Sequence, residues 1–225
     1  MLTALDDNLW EAEYALSVAG VQLGHRMTII RLADNELMLH SPVPLADDLA
    51  RELGELGEVR YVVAPSCFHD LFLESYFERF AGATFCSAPG MSEQHPGMGF
   101  EVVLYDQFPK YWSEELEHIL IGGIPKINEV VFFHPASRTL IVADLVFNIQ
   151  SSSSWVTRAA MKLNRAYGKV TPSRYFKSFV KDRRAFAASI ERVLEWHFER
   201  IVVGHGSIVQ SRGREMFSAA FDWLR

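Results

Sequence analysis

The sequence predicts an α/β fold in which strands and helices alternate and pack in layers. Three observations lead to this prediction. Residues 61–87 follow the order strand, polar loop, helix, strand, and residues 128–148 contain two short apolar runs around a turn. The 225 residues are 49% hydrophobic and 22% charged, which is the composition of an ordinary globular protein with a sizeable core.

The first part of the chain supplies four of the nine predicted strands. Two apolar runs flank the turn Ala33-Asp34-Asn35, which is typical of a hairpin. Leucines at helical spacing follow, opposite a charged face, and Gly57 ends that segment. Phe72, Tyr76 and Phe80 are spaced four residues apart and predict a second helix. The predicted elements are strands 27–32 and 36–40, helix 45–56, strand 61–64, a helix around 72–80 and strand 84–87.

The second part contains the central hairpin and most of the helical segments. Residues 130–133 and 139–142 are apolar and β-rich, and the residues between them favour a turn. Asp182 is placed to cap a long helix. The other predictions are strands 102–105 and 117–121, a basic amphipathic helix over 155–169, a short helix after Thr171-Pro172, strand 201–203 and a terminal helix around 216–224.

Several protein classes find no support in the sequence. No apolar run reaches the roughly 18 residues of a membrane span, and no basic region precedes an apolar N-terminal segment, so a cytoplasmic location is expected. There is no glycine-rich phosphate loop, serine elbow or zinc-finger spacing. Cys67 and Cys86 are too few for a disulfide framework. Cys67, two residues before His69, can be interpreted as a reactive thiol. The simpler interpretation is that both cysteines are small buried residues.

Positive charge is concentrated in residues 155–184. This segment carries nine basic residues and one acidic residue, and removing its net charge of +8 from the chain total of −6 leaves −14 elsewhere. One interpretation is a lid that presents Arg158 and Lys162 to a small anionic substrate. Alternatives are a helix on an anionic membrane surface and a docked helix with solvated charges. A nucleic-acid partner is not expected because the remaining negative charge would repel a polyanion.

Two polar side chains follow predicted strands at positions suited to a functional site. Asp144 comes directly after the second strand of the central hairpin, and His205 follows the last strand within Gly204-His205-Gly206. Side chains at strand ends can meet a metal or a substrate while their backbone is held rigidly. The alternative is that Asp144 caps a turn and His205 bonds a neighbouring loop.

The order of these segments resembles the metallo-β-lactamase superfamily over roughly residues 27–210. A strand leads into Pro65-Ser66-Cys67-Phe68-His69-Asp70 and a helix, Asn128-Glu129 precedes the hairpin that ends in Asp144, and the last strand leads to His205. The resemblance implies a four-layer αββα sandwich over residues 1–225, with a basic helical insertion at 155–184. It also implies a metal site where loops of both sheets meet. Members with an intact site bind two metals and hydrolyse esters, amides, thioesters or phosphodiesters.

The family's metal ligands are only partly present in this sequence. The histidine box after the strand retains only its aspartate, Asp70, and the later histidine expected near Ile124 is missing. The bridging aspartate matches Asp144 and the last histidine matches His205, while His40 replaces an upstream aspartate. The four positions on which the box would fall are Ser66, Phe68, Asp70 and Leu71.

The surviving residues leave two ligand sets open. Asp70, Asp144 and His205, or His69 with the latter two, could hold one zinc, iron or manganese ion. Under the alternative, these side chains are structural and no metal binds. The function expected is hydrolysis of a small anionic substrate at a reduced site with a single ion. The rival is a catalytically inactive metallo-β-lactamase-like module that binds a ligand or a partner without metal.

Supporting residues are open to two interpretations. Glu129 could orient a ligand or bond a substrate, or it could be a solvated strand start. Asn148 could steady the loop after Asp144, or serve as a turn residue. His40 could support the site from the position of the missing aspartate. His95 lies in a predicted loop with no recognisable partner.

Overall fold

A computed structural model describes residues 1–105, 112 and 115–225. The described residues form two large β-sheets, a small hairpin and seven α-helices. The strands are β1 (Thr3–Asp6), β2 (Leu9–Tyr14), β3 (Ser17–Val18), β4 (Val21–Gln22), β5 (His25–Arg31), β6 (Glu36–His40), β7 (Glu58–Ala64), β8 (Thr84–Ser87), β9 (Val102–Val103), β10 (Glu117–Leu120), β11 (Val130–His134), β12 (Thr139–Ile141) and β13 (Arg200–Val202). The helices are α1 (Asp47–Leu56), α2 (Glu74–Arg79), α3 (Met91–Gln94), α4 (Trp155–Leu163), α5 (Arg174–Lys177), α6 (Arg183–Glu195) and α7 (Gly213–Ala220).

The two large sheets differ in topology. The first has the strand order β1-β2-β5-β6-β7-β8-β9, and its last four strands run parallel to one another. The second has the order β10-β11-β12-β13, with β12 and β13 parallel. Because the carboxyl ends of neighbouring parallel strands share one edge of a sheet, loops after these strands can meet there.

The sheets pack face to face because apolar side chains alternate along their strands. In β11, Val130 and Phe132 belong to the core between the sheets, whereas Val131 and Phe133 belong to a second core under α6 and α7. A third core lies between the first sheet and α1 and α2. The resulting layers are helix, sheet, sheet, helix, which confirms the predicted four-layer sandwich.

Most predicted elements are present with shifts of a few residues at their ends. Strand 84–87 is found unchanged as β8, and Asp182 caps α6 by accepting hydrogen bonds from the N–H groups of Arg184 and Ala185. The predicted strand 102–105 is shortened to β9. Residues 106–111, 113 and 114 lie outside the described part of the chain.

The basic helix is shorter than predicted. It was expected over residues 155–169, but α4 ends at Leu163. Arg165 and Gly168 have φ angles of +55° and +75°, which no α-helix accommodates. Tyr167 instead forms a parallel bridge with Ile149. Within the described ranges, no helix has both the length and the apolar character needed to cross a bilayer.

Candidate metal centre

Three buried side chains converge where strands of both large sheets end. His69 follows β7, Asp144 follows β12 and His205 follows β13. One potential ligand atom from each residue lies within 4.8 Å of the other two. His69 Nε2 is 3.3 Å from Asp144 Oδ2, and His205 Nε2 is 3.3 Å from Asp144 Oδ1. The carboxylate therefore lies between imidazoles contributed by different sheets.

Two glycines allow the loop after β13 to approach its neighbours. A Cβ on Gly204 would lie 2.6 Å from the Ala143 carbonyl oxygen and 3.0 Å from Cε1 of His69. Gly206 has a φ angle of +94°, a conformation that favours glycine. A Cβ at Gly206 would lie 2.4 Å from the Asn148 carbonyl oxygen. The glycine on each side of the histidine is thus required by close backbone packing.

His205 is oriented by the residue that precedes β5. Its Nδ1 lies 2.6 Å from the Gly24 carbonyl oxygen. Because a carbonyl oxygen only accepts hydrogen bonds, Nδ1 carries a proton, and Nε2 is the ring nitrogen that faces Asp144. The ring of Phe147 stacks on the imidazole with centroids 5.2 Å apart.

His69 is oriented by a second pair of residues. Ser41 Oγ lies 2.6 Å from His69 Nδ1 and 3.2 Å from His25 Nε2. His25 Nε2 also lies 3.0 Å from the Pro42 carbonyl oxygen, and its ring stacks on His69 with centroids 4.8 Å apart. Burial, followed by the nearby His69 and His205, lowers the pKa of His25 to about 3, so this ring is neutral. Ser41 has a φ angle of +60°, the kind of backbone strain that clusters at functional sites.

The order Ser41, His69, Asp144 matches the order of side chains in a serine hydrolase triad. A nucleophile must reach the substrate, however, and Ser41 is only 1% exposed. It is also absent from the lining of the cavity that the other two residues face. Ser41 therefore orients the imidazole of His69 and does not attack a substrate.

Glu129 fixes the loop that carries Asp144. Its buried carboxyl group accepts hydrogen bonds from the N–H groups of Ala143 at 2.8 Å and Asp144 at 3.0 Å. Burial and the neighbouring Asp144 carboxylate raise the pKa of Glu129 to about 8, against the opposing effect of these donors. Burial alone would raise the pKa of Asp144, but His69 and His205 bring it below its usual range. The carboxyl group of Glu129 therefore bonds the backbone of the loop, and the carboxylate of Asp144 faces the imidazoles.

The geometry fits a divalent cation. Asp144 Oδ2 is buried and has no hydrogen-bond partner among the described residues. His205 Nε2 faces Asp144 Oδ1 at 3.3 Å, and a cation held between the two atoms would take the place of the proton that otherwise joins an imidazole nitrogen to a carboxylate. Two imidazole nitrogens and a carboxylate are a ligand set that suits zinc, iron or manganese. The donor chemistry and the unsatisfied oxygen both favour an ion at this position.

A comparison with known protein families identifies the family of this chain. A family model described as a domain of unknown function, DUF4336, matches residues 6–173. The chain belongs to the DUF4336 family. The matched region includes His69 and Asp144 and ends before His205. No curated protein matches the chain.

Solved structures share the fold of this DUF4336 chain at low sequence identity. A metallo-β-lactamase from Pontibacter korlensis is 14% identical with a TM-score of 0.66, and the match covers 100% of this chain and 98% of the other. The FIM-1 metallo-β-lactamase from Pseudomonas aeruginosa, in a mono-zinc form, is 15% identical with a TM-score of 0.66 and coverage of 100% and 94%. A metal-soaked Flv1 flavodiiron core from Synechocystis sp. PCC6803 is 10% identical with a TM-score of 0.68 and coverage of 100% and 60%. These matches confirm the predicted metallo-β-lactamase-like fold.

Asp70, one of the two alternatives for the third ligand, lies outside the group of three. Its Oδ2 is 2.6 Å from Nε2 of His95, which corrects the expectation that His95 has no partner. Asp70 does not cap the following helix either, because α2 begins four residues later, at Glu74, and has no side-chain cap. In the DUF4336 chain the imidazole of His69, one residue earlier, faces Asp144 instead.

The predicted supporting residues have different surroundings. Asn148 donates a hydrogen bond from Nδ2 to the Ser207 carbonyl oxygen at 2.6 Å, which ties the loop after Asp144 to the loop that carries His205. His40 is buried against Phe132, and neither ring nitrogen has a hydrogen-bond partner in the described part of the chain. Burial and the nearby His69 lower the pKa of His40 to about 3.

Arg158 and Lys162 are not among the described residues that line the cavity at the site. Arg158 donates hydrogen bonds to the carbonyl oxygens of Ser152 and Ser153 at 2.8 Å and 2.9 Å. The ammonium group of Lys162 lies over the ring of Tyr167, 5.7 Å from its centroid. Both basic side chains thus stabilise the segment around α4.

The two cysteines are buried free thiols. Burial is the main cause that raises the pKa of Cys67 to about 11 and that of Cys86 to about 12. Because the thiolate is the reactive form, neither side chain is suited to nucleophilic chemistry near neutral pH.

Sequence reasoning missed the residues that hold the two imidazoles. These are Gly24, His25 and Ser41. Sequence reasoning also missed Arg26, which is buried, pairs with Glu11 and Glu13, and donates a hydrogen bond to the Val203 carbonyl oxygen at 2.5 Å. The run Gly24-His25-Arg26 at the start of a strand was the available signal, because polar residues rarely begin a fully buried strand without partners.

A cavity of about 260 Å³ opens beside the three converging side chains. His69, Asp144 and His205 form part of its wall, and nine of the fourteen described lining residues are aliphatic or aromatic. Phe68, Leu71 and Tyr175 are lining residues that are 39%, 59% and 63% exposed, so they lie at the mouth. The site therefore combines one polar wall with a largely apolar pocket.

Proposed function

We propose that this protein is a metal-dependent hydrolase of a small anionic substrate. His69, Asp144 and His205 would hold the cation. The observation that carries the proposal is the convergence of these three buried side chains within 4.8 Å at the wall of a cavity. Three protein ligands with an open position toward a cavity are the arrangement of hydrolytic metal centres.

The proposal includes one ion rather than two. In the described residues, a single group of histidine, cysteine and acidic side chains could hold a metal. The positions that match the other histidines of the resembled superfamily are occupied by Ser66, Phe68, Leu71 and Ile124, which offer no nitrogen or carboxylate ligand. A single centre is therefore the arrangement that these side chains favour.

A cation in this set would supply Lewis-acid activation of water. The chain's own residues would do the rest. The Gly24 carbonyl oxygen fixes the proton on Nδ1 of His205, and Ser41 restrains the plane of the His69 ring, as partners of metal-binding histidines commonly do. The apolar cavity walls exclude bulk water and strengthen the electrostatic interactions within the site.

The basic residues of α5 support an anionic substrate. Arg174 and Lys177 lie on the same short helix as Tyr175 and Phe176, which line the cavity. The ammonium group of Lys177 lies over the ring of Trp223, 4.7 Å from its centroid, so Arg174 is the cation of α5 that is exposed beside Tyr175. Residues flanking the cavity mouth, rather than Arg158 and Lys162, would then attract a negatively charged group.

Metal analysis tests this proposal against the metal-free binding module. Protein purified without chelator is expected to contain about one zinc, iron or manganese ion per chain. Removing the ion and restoring it at about 100 times its Kd should raise the Tm by roughly 5–10 °C. Asp144→Asn should abolish this response, and Asp70→Asn, a carboxylate outside the group, should retain it.

Absence of a stoichiometric ion, together with a Tm that does not respond to zinc, iron or manganese, would favour the metal-free module. Ester, thioester and phosphodiester substrates should then be tried with the loaded protein, in parallel with Asp144→Asn. Turnover that persists unchanged in that variant would also count against the proposal, because the chemistry would not depend on the centre.

A further inference from the structure

We propose that the cavity beside the three converging side chains binds an unbranched hydrocarbon acyl chain of the substrate. This inference rests on the proposed function, because it assigns a substrate class to the same site. The substrate would be a carboxylic ester or thioester with a medium-length acyl group in the cavity and its anionic part outside the mouth.

The lining of the cavity supports an apolar occupant. Among the described lining residues, the side chains with polar groups are the three converging ones, His25, Ser173 and, at the mouth, Tyr175 with its hydroxyl, and none is a lysine or arginine. Ile127 is fully buried, and Phe147 and Phe176 are nearly so. A hydrocarbon chain placed here removes apolar surface from water without leaving a buried polar group unpaired.

The same lining argues against a phosphodiester held within the cavity. The charged oxygens of such a group need cationic or N–H donors when they are buried. An acyl carbonyl is neutral and has a single strong acceptor, which suits a pocket with polar groups on only one wall. Hydrolysis would join the hydroxyl of water to the acyl carbon, and its proton would leave with the departing alcohol or thiol.

The size of the cavity limits the length of the chain. A volume of about 260 Å³ holds roughly nine non-hydrogen atoms if each takes the share of a water molecule in the liquid. An acyl group of about eight carbons would therefore fill the cavity. The exposed aromatic and aliphatic side chains at the mouth, including Tyr175 and Leu71, would contact the part of the substrate that leaves the cavity.

The charge around the mouth explains where the rest of the substrate would lie. Arg174 is exposed next to Tyr175, whereas the ammonium group of Lys177 lies over the ring of Trp223. An anionic group on the alcohol or thiol part would remain in solvent near Arg174. A substrate with an apolar acyl chain and an anionic group thus fits both the apolar cavity and the positive charge of α5.

Binding of primary alcohols to chelator-treated protein tests the inference without any catalysis. Ethanol, butanol, hexanol and octanol are suitable because they are uncharged and are not repelled by Asp144. Isothermal titration calorimetry should show affinity that rises by about four-fold for each methylene group until the cavity is filled. Affinity that does not depend on chain length would overturn the inference.

Two sets of variants locate the binding. Val18→Thr with Leu71→Asn makes two partly exposed lining residues polar at almost constant size, and should weaken octanol binding by at least about ten-fold. Leu163→Asn is the matched control, because Leu163 is 73% exposed and is not among the lining residues. Ile127→Phe fills the interior and should shift the preferred chain to a shorter one.

The outcomes separate this inference from the proposed function. Chain-length-dependent binding that is lost in the double variant supports the cavity assignment even if no metal binds. Loaded protein that hydrolyses acetyl and octanoyl p-nitrophenyl esters equally well, while alcohols fail to bind, would leave the hydrolase standing and overturn the cavity assignment. Unchanged octanol affinity in both the double variant and Ile127→Phe would also overturn it.

Discussion

Two regions of the molecule contribute to the site in different ways. The loops after β7, β12 and β13 supply the potential ligand atoms of His69, Asp144 and His205. The region formed by residues 24–26 and Ser41 supplies no atom to that group, yet it contacts both imidazoles or the backbone beside them. The potential ligand atoms and the contacts that orient them therefore come from separate parts of the sequence, so one set can be altered without the other.

The largest expected effect comes from removing the negative charge of Asp144, one of the potential metal ligands. Asp144→Asn keeps the shape of the side chain but removes the negative charge between the imidazoles. Cation affinity, measured by competition with a chromophoric chelator, should fall by more than about 100-fold, beyond the loss typical of supporting residues. Asp70→Asn should change it by less than about two-fold. Equal losses in the two variants would mean that the ligand set has been misassigned.

A supporting residue should have a smaller effect. Ser41→Ala removes the hydroxyl group next to His69 Nδ1 and should lower cation affinity by about 10- to 100-fold. A cobalt-loaded sample should also show a changed absorption spectrum. Ser87→Ala is the matched control, since Ser87 is equally buried and its hydroxyl has no hydrogen-bond partner among the described residues. Wild-type affinity and spectrum in Ser41→Ala would show that the imidazole needs no such partner.

The close packing between the two histidine loops gives the next prediction. Gly204→Ala places a Cβ against Ala143 and the ring of His69, and should destabilise the fold by about 1–3 kcal/mol and lower cation affinity by roughly ten-fold. Gly54→Ala, within α1 where nothing lies within 4 Å, should instead stabilise by about 0.5–1 kcal/mol. Urea denaturation of the metal-free proteins measures both changes. A neutral Gly204→Ala would indicate that the loops have room to separate.

The smallest effect is expected from reversing charges on α4. Arg158→Glu with Lys162→Glu reverses two charges that contact their own segment rather than the cavity. The affinity of the loaded protein for an anionic competitor such as octanoate should change by less than about two-fold. Arg174→Glu should weaken it several-fold by local charge reversal beside Tyr175. The opposite ranking would restore the lid interpretation of α4.

The sequence was most informative where residue type and strand end coincide. Asp144 and His205 follow apolar strands, and short runs of β-branched residues make those strands recognisable. The α6 cap at Asp182 was predictable for the same reason, since a carboxylate at that position bonds the first N–H groups of a helix. These features depend on neighbours within a few residues.

Other features depend on residues far apart in the chain. Whether Asp70 or His69 faces Asp144 is decided by the path of the loop after β7, which spacing alone does not specify. The bonds from Gly24 to His205 and from Ser41 to His69 join segments of different strands. The early end of α4 depends on positive φ angles at Arg165 and Gly168, and an arginine gives little warning of such a conformation.

The most direct test of the account is a crystal structure of zinc-loaded protein with anomalous data recorded at the zinc edge. The account predicts one anomalous peak per chain, within about 2.0–2.2 Å of His69 Nε2, His205 Nε2 and a carboxylate oxygen of Asp144. It also predicts that Asp70 remains paired with His95. No peak at this position, or a peak coordinated by Asp70 instead of His69, would contradict it.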